Sequence, residues 1–216
     1  MMTHPPSDAM FASFASGTAT PGIELLMRTH LAMAPASRAR LGLMEDVGGA
    51  LLAEADAAPL SQGALDRALG ALGTPEPQPA RTARAQGDLP ESNLPEPLAR
   101  ALGAPLDALR WQFRLPGLHE YVLDGYSEGE EVSLLRARPG AGMLQHTHHG
   151  EEATLILAGE MTDGNTVLRP GDVAEADGDH DHRPRITGDR TCYCLIVMSG
   201  RMRFTGPLSR ALNLFT

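Results

Sequence analysis

Lysine is absent from this chain of 216 residues: all 18 basic side chains are arginine, set against 27 acidic ones for a net charge of -9. With no basic stripe, nucleic acid is not expected as a direct partner. An acidic surface suits a basic protein partner better. Cysteine is almost as scarce. Cys192 and Cys194 are the only two, and a C-x-C pair on a strand does not make a disulfide framework. No apolar run approaches the ~18–20 residues that a spanning helix needs. The first ten residues, MMTHPPSDAM, have neither a basic n-region nor an apolar h-region, so no signal peptide is read there. A cytoplasmic protein without membrane contact is expected. What remains is ordinary for a globular chain: 42% hydrophobic residues, enough for a real core, at a length that fits one large domain or two small ones.

The first 75 residues read as helical. Ser7 and Asp8 offer an N-cap before AMFASFASG. Thr20 caps a second helix with Pro21 at its first position. In it Ile23, Leu26, His30 and Met33 recur at helical spacing, and Pro35 ends it. A third segment carries Leu41, Met44, Val47 and Leu51 on one face; a fourth, after Ser61, carries Leu65, Leu69 and Leu72. This is a small bundle with more apolar surface than it can hide alone. Residues 76–96 are rich in proline and polar side chains and lack periodicity, which marks a linker. A short helix around Leu98, Leu102 and Leu106 leads into a second domain over 97–216. From Trp111 onward the pattern changes to short strands, RWQFRL, LHEYVL, EVSLLRAR, EATLIL, TVLR, DVAEA and CYCLIVM, with turns at Asp163-Gly164 and Pro170-Gly171. Many short antiparallel strands predict a sandwich or small barrel. The fold class expected is α+β and multidomain, helices first and β-structure second.

The densest chemistry is PGAGMLQHTHHGEEATLILAG, Pro139 to Gly159. Side chains two apart on a strand share a face, roughly 6.5–7 Å apart along the chain, so His146 and His148 can converge on one ion. Gly150 permits a turn that returns Glu152 to the same point. A later stretch, DGDHDHRP, offers His180 and His182. Three imidazoles and a carboxylate suit Zn²⁺, with Fe, Mn or Ni as alternatives. A solvated polar loop would explain one histidine, but five of the chain's eight lie in this region. Alternation turns His149 and His180 away from their neighbours.

This stretch resembles the cupin family. The first cupin motif asks for Gly, five residues, H-x-H, three or four residues, Glu, six residues and Gly; Gly140, His146, His148, Glu152 and Gly159 meet every spacing. The second motif is less complete: Gly164 and Pro170 are spaced correctly, but the usual P-x-G and trailing Asn are missing. The resemblance implies a cupin (double-stranded β-helix, or jelly-roll) barrel with metal ligands His146, His148, Glu152 and His182.

The first half narrows the reading. MRTHLAMAPASRARL resembles the H-x3-C-x2-C helix of zinc-binding anti-sigma domains, which have a further histidine near the N-terminus. Helical domain followed by cupin is the layout of the ChrR-type anti-sigma factors. The likeness extends to H-x-H-x-G-x-E at His146 to Glu152, H-x-P at His182 to Pro184 and C-x-C at Cys192 to Cys194. It implies an intracellular repressor of an extracytoplasmic-function sigma factor, released under singlet-oxygen or peroxide stress. The departure is local: His30 matches and His4 is placed as the distal ligand, but the two thiolate positions hold Ala34 and Ser37. Alanine cannot bind metal and a serine hydroxyl is a poor zinc ligand, so no stable zinc is expected in the helical domain. Phe11, Phe14, Leu25, Leu26 and Met33 are candidate sigma contacts or, at helical spacing, core. Cys192 and Cys194 are redox candidates or small buried hydrophobes. Two other functions fit the cupin alone: a metal-dependent, dioxygenase-like enzyme, or a small-molecule binder.

Overall fold

A computed structural model describes residues 3–72, 94–126 and 129–207. The expected linker therefore lies outside the described residues, except for Leu94, Pro95 and Glu96.

Among the described residues five α-helices precede the sheet: α1 (Asp8–Ala15), α2 (Pro21–Met33), α3 (Arg38–Glu54), α4 (Ala64–Ala71) and α5 (Glu96–Leu102). Both predicted caps are made. The Ser7 hydroxyl accepts from Met10 N and the Thr20 hydroxyl from Ile23 N, satisfying amide groups that the first helical turn leaves without partners. α2 stops at Met33, two residues before Pro35.

Eleven strands follow among the described residues: β1 (Gln112–Leu115), β2 (Leu118–Val122), β3 (Glu130–Ala137), β4 (His146–His148), β5 (Glu152–Ala158), β6 (Glu160–Asp163), β7 (Thr166–Leu168), β8 (Val173–Ala176), β9 (Arg185–Thr187), β10 (Cys192–Ser199) and β11 (Met202–Phe204). They form a six-stranded sheet in the order β1-β2-β3-β10-β5-β8, a three-stranded sheet β7-β6-β9 and a pair β11-β4, all antiparallel. The seven strand-forming stretches read from the sequence all carry strands. The short β6, β9 and β11 add three strands that those stretches do not include.

The central strands β3, β5 and β10 are apolar on both faces, and the reason is that both faces are covered. One face, with Val132, Leu134, Leu155, Leu157, Leu195 and Val197, forms a single core with Phe11, Leu25, Leu26 and Met27 of α1 and α2. The other, with Leu135, Ala137, Ile156, Cys192 and Cys194, fills the barrel with Leu118, Met161, Leu168 and Ile186. Strands buried on both sides read as continuous apolar runs. The surplus apolar surface of the first helices is thus hidden by the sheet. Phe11, Leu25 and Leu26 are buried in this core, and Phe14 and Met33 pack against it half-buried; of their two readings, core holds. Gly22 sets the closeness of approach: a Cβ there would stand 2.7 Å from Val132 Cγ2 and 2.8 Å from Val197 Cγ1.

Carboxylates of the β region fasten the helices at their polar ends. Glu130 accepts from the Thr20 hydroxyl and from Gly22 N (3.0 Å) at the start of α2. Glu175 accepts from Ser7 N (2.7 Å) and the Ser7 hydroxyl (2.8 Å) at the start of α1. Asp172, fully buried, accepts from Thr3 N (2.7 Å), His4 N (2.9 Å) and Arg169 N (2.9 Å). Each places negative charge where backbone amides would otherwise lack partners, at a helix start for Glu130 and Glu175 and in loop segments for Asp172.

Candidate metal centre

β4 is short but pinned on both edges. It pairs with β11, and on its other side His146 exchanges two backbone hydrogen bonds with His182, His146 N to His182 O at 3.0 Å and His182 N to His146 O at 2.9 Å. That bridge sets His182 directly opposite His146. The alternation of β4 turns His146 and His148 inward, both buried, while Thr147 faces out and bonds Gly178 O. Gly150 then lets the chain cross the end of β10, since a Cβ there would fall 2.1 Å from Ser199 O. The crossing leads into β5, whose inward face begins with Glu152.

The structure brings His146, His148, Glu152 and His182 together with one ligand atom from each, all within 4.8 Å of one another. His148 Nε2 lies 3.1 Å from His182 Nε2 and 3.2 Å from Glu152 Oε2. The second carboxylate oxygen of Glu152 accepts from the Thr154 hydroxyl at 3.0 Å. Hydrogen bonds fix two of the imidazole tautomers. Leu144 O can only accept, so His146 Nδ1 carries the proton (2.7 Å) and Nε2 is left as a bare lone pair. Asp163 Oδ2 likewise accepts from His182 Nδ1–H at 2.8 Å, which turns the His182 Nε2 lone pair inward.

These residues fit a metal ion. His146 Nε2 is buried without any hydrogen-bond partner, although the rings of His148 and His182 stand beside it. Burial lowers the pKa of His146 and, with the charges of the neighbouring histidines, pulls His148 down to about 4. Both rings are therefore neutral near pH 7, as ligands must be. Burial also works against charge on His182, but the hydrogen bond and charge of Asp163 and the charge of Glu152 outweigh it and raise its pKa. Burial pushes the Glu152 carboxyl up. Lone pairs crowded together in a buried site repel unless a cation gathers them, and three imidazoles with one carboxylate suit a borderline divalent ion.

Of the two histidines read as turned away, His149 is exposed. His180 stands outside the four-residue group, half-exposed, with Nε2 3.6 Å from Asp163 Oδ2. Asp163 is the residue that sequence reasoning missed as part of the site: in an Asp-Gly turn its signal is that of a turn former, and its contact with His182 exists only in the fold. Cys192 and Cys194 face the barrel interior, fully buried, with sulfurs 3.7 Å apart. The hydrogen bond from Cys192 and complete burial raise the Cys194 thiol well above its ordinary pKa, the environment of a packing residue rather than of a reactive thiolate.

The helical motif has a different chemistry. His30 is fully buried where α2 meets the β7–β8 turn, edge-on to Phe11. Its Nδ1–H donates to Gly171 O at 2.9 Å, which leaves Nε2 to accept the Ser37 hydroxyl at 2.8 Å. Ser37, at a thiolate position of the resembling motif, thus occupies the lone pair a metal would use. His4 sits half-exposed beside Asp172, Nδ1 to Oδ2 3.8 Å. His30 is therefore more than a residue near a helix end: it joins the helices to the β region.

Comparison with known proteins agrees with this architecture. Residues 100–202 match the ChrR cupin-like domain family. The chain is 31% identical over 213 residues, 98% of its own length and 97% of the relative's, to the anti-sigma-E factor ChrR of Cereibacter sphaeroides. A chain in the crystal structure of Rhodobacter sphaeroides SigE in complex with the anti-sigma ChrR superposes with a TM-score of 0.75 at 29% identity, covering 92% of this chain and all of that one. Similarity that runs through helices and cupin alike sets aside the enzyme and binder alternatives, which accounted for the cupin alone: the chain belongs to the ChrR-type anti-sigma factors, regulators rather than enzymes.

Proposed function

We propose that this protein sequesters an extracytoplasmic-function sigma factor on the uncovered apolar faces of α3 and α4, and that its cupin centre, holding Zn²⁺ through His146, His148, Glu152 and His182, senses oxidative stress. The reading keeps three units: the helical domain over 1–75, the linker over 76–96 and the cupin over 97–216.

One observation carries the docking surface. Leu41 and Met44 of α3 pack against the core, but Val47, Leu51, Leu65, Leu69 and Leu72 are all more than half exposed, Leu51 at 66% and Leu72 at 81%. Their spacing, 47 and 51, then 65, 69 and 72, gives two helical stripes that nothing among the described residues covers. The relative in the crystal complex binds a sigma factor, SigE, and a sigma factor, as a DNA-binding protein, supplies the basic character that a chain of charge -9 favours.

The cupin's part follows from β5. Glu152 stands on the inward face of that strand, while Ala153, Leu155 and Leu157 of the opposite face lie under the helices. A bound ion would supply a clamp joining β4, β5 and the His182 segment. Singlet oxygen, itself the oxidant, would add across the ring π bonds of one imidazole; that ring would no longer hold an ion, β5 would loosen and the support beneath α1 and α2 would shift, favouring the state that lets the partner go.

The test is co-purification of the full chain with the sigma factor encoded nearest to it. Leu51→Glu combined with Leu69→Glu should weaken that complex roughly 100-fold or more, because burial of each leucine is worth about 1.5–3 kcal/mol. Undiminished binding by the double variant would remove α3 and α4 from the interface. His146→Ala, which removes a ligand as oxidation would, should weaken the sigma complex without any oxidant, and binding equal to wild type would take the centre out of the switch.

A further inference from the structure

His146 and His148 are buried, so an ion reaches the inner centre from the side of Glu152 and His182, which line a cavity. A second group of ligand atoms stands outside that centre. Asp163 Oδ2, His180 Nε2 and His182 Nδ1 lie within 4.8 Å of one another. Their side chains are graded in exposure, 50% for His180, 16% for Asp163 and 6% for His182. All three line the same cavity of about 810 Å³ as Glu152. The donors therefore run from solvent to centre in near contact: His180 to Asp163 at 3.6 Å, Asp163 to His182 at 2.8 Å, His182 to His148 at 3.1 Å and His148 to Glu152 at 3.2 Å.

Resting on the metal-centre reading above, we infer that His180 and Asp163 form an outer capture site, which takes a borderline divalent cation such as Zn²⁺ from solution and passes it inward through His182. The donor types suit this. An exposed imidazole and a carboxylate replace the ion's first waters. His182 stands between the two groups, its Nδ1–H donating to Asp163 and its Nε2 facing the inner centre. Asp163 accepts the His182 Nδ1 proton throughout, which holds the ligand ring in place. His180 then has no part in the final coordination.

A group that acts only on the path speeds loading and release equally and leaves affinity unchanged. His180→Ala in the full chain should slow both Zn²⁺ uptake, followed by stopped flow against a chromophoric chelator, and Zn²⁺ release to excess chelator. The expected factor is roughly tenfold, the lower end of what a charged, ligand-lined cleft adds to an on-rate. Stoichiometry and Kd should match the wild type. His149→Ala, exposed and off this line, should change neither rate. Asp163→Asn should slow both rates and also weaken Kd, because it orients His182 as well. Unchanged rates in His180→Ala overturn the capture site. A lost equivalent or a weakened Kd in that variant overturns it too, by making His180 a ligand of the bound ion. A wild-type chain that takes up no zinc overturns the metal centre itself and the capture site with it.

Discussion

His30→Ala is the sharpest test of how the helices are held. The ring is fully buried, with both nitrogens engaged, one to Gly171 O across the seam with the β region and one to Ser37 within the helical region. Truncation leaves that carbonyl and that hydroxyl without their partner, at about 1–3 kcal/mol for each unsatisfied buried group, and opens a cavity the size of an imidazole beside Phe11. Partial relaxation and water reduce the sum, so a loss of roughly 3–5 kcal/mol is expected. For a chain of this length that is a fall in Tm of roughly 6–20 °C. Calorimetry on the full chain measures it, and limited proteolysis should show α2 cleaved sooner than the cupin. His30→Gln keeps a donor and an acceptor and should recover part of the loss. A fall in Tm of under about 2 °C for His30→Ala would mean that the imidazole is not a joint between helices and cupin, and that the apolar contacts alone hold them.

Three further outcomes follow from the same geometry. Gly22→Leu should force α2 off the sheet, because a Cβ alone already meets Val132 and Val197 inside contact distance; a crystal structure or a proteolysis pattern unchanged from wild type would contradict this. The metal-free protein should lose stability as pH falls below about 6.5, the unfolded-state value for histidine. The folded pKa values of His30, His146 and His148 are all depressed by burial, the last to about 4, so the unfolded chain binds more protons and acid favours it. The raised His182 and Glu152 work in the opposite sense, and a urea midpoint higher at pH 5 than at pH 7.5 would show that they dominate. Ala34→Cys with Ser37→Cys should give the helical region a zinc equivalent, measured by metal analysis in a chain carrying His146→Ala, His148→Ala and His182→Ala. That chain without the two cysteines should hold no zinc, and tightly bound stoichiometric zinc in it would refute the reading of Ala34 and Ser37.

The sequence by itself determined the parts whose signals are local. Caps at Ser7 and Thr20, the stop at Pro35 and the strand at His146 to His148 depend on neighbours in the chain, and each formed where it was read. The spacing from Gly140 to Gly159 was enough to mark the cupin, because alternation and one glycine fix which side chains converge. What needed the tertiary structure was everything made between distant segments. The histidine of the DGDHDHRP stretch that joins the inner group is His182 rather than His180, because it is the backbone of His182 that pairs with His146. Asp163 becomes its partner only once the β6 end reaches it. Helical periodicity marks an apolar stripe without saying what covers it. The stripes of α1 and α2 met the sheet while those of α3 and α4 stayed open, because burial is a property of which surfaces the fold brings together and not of the spacing along one chain.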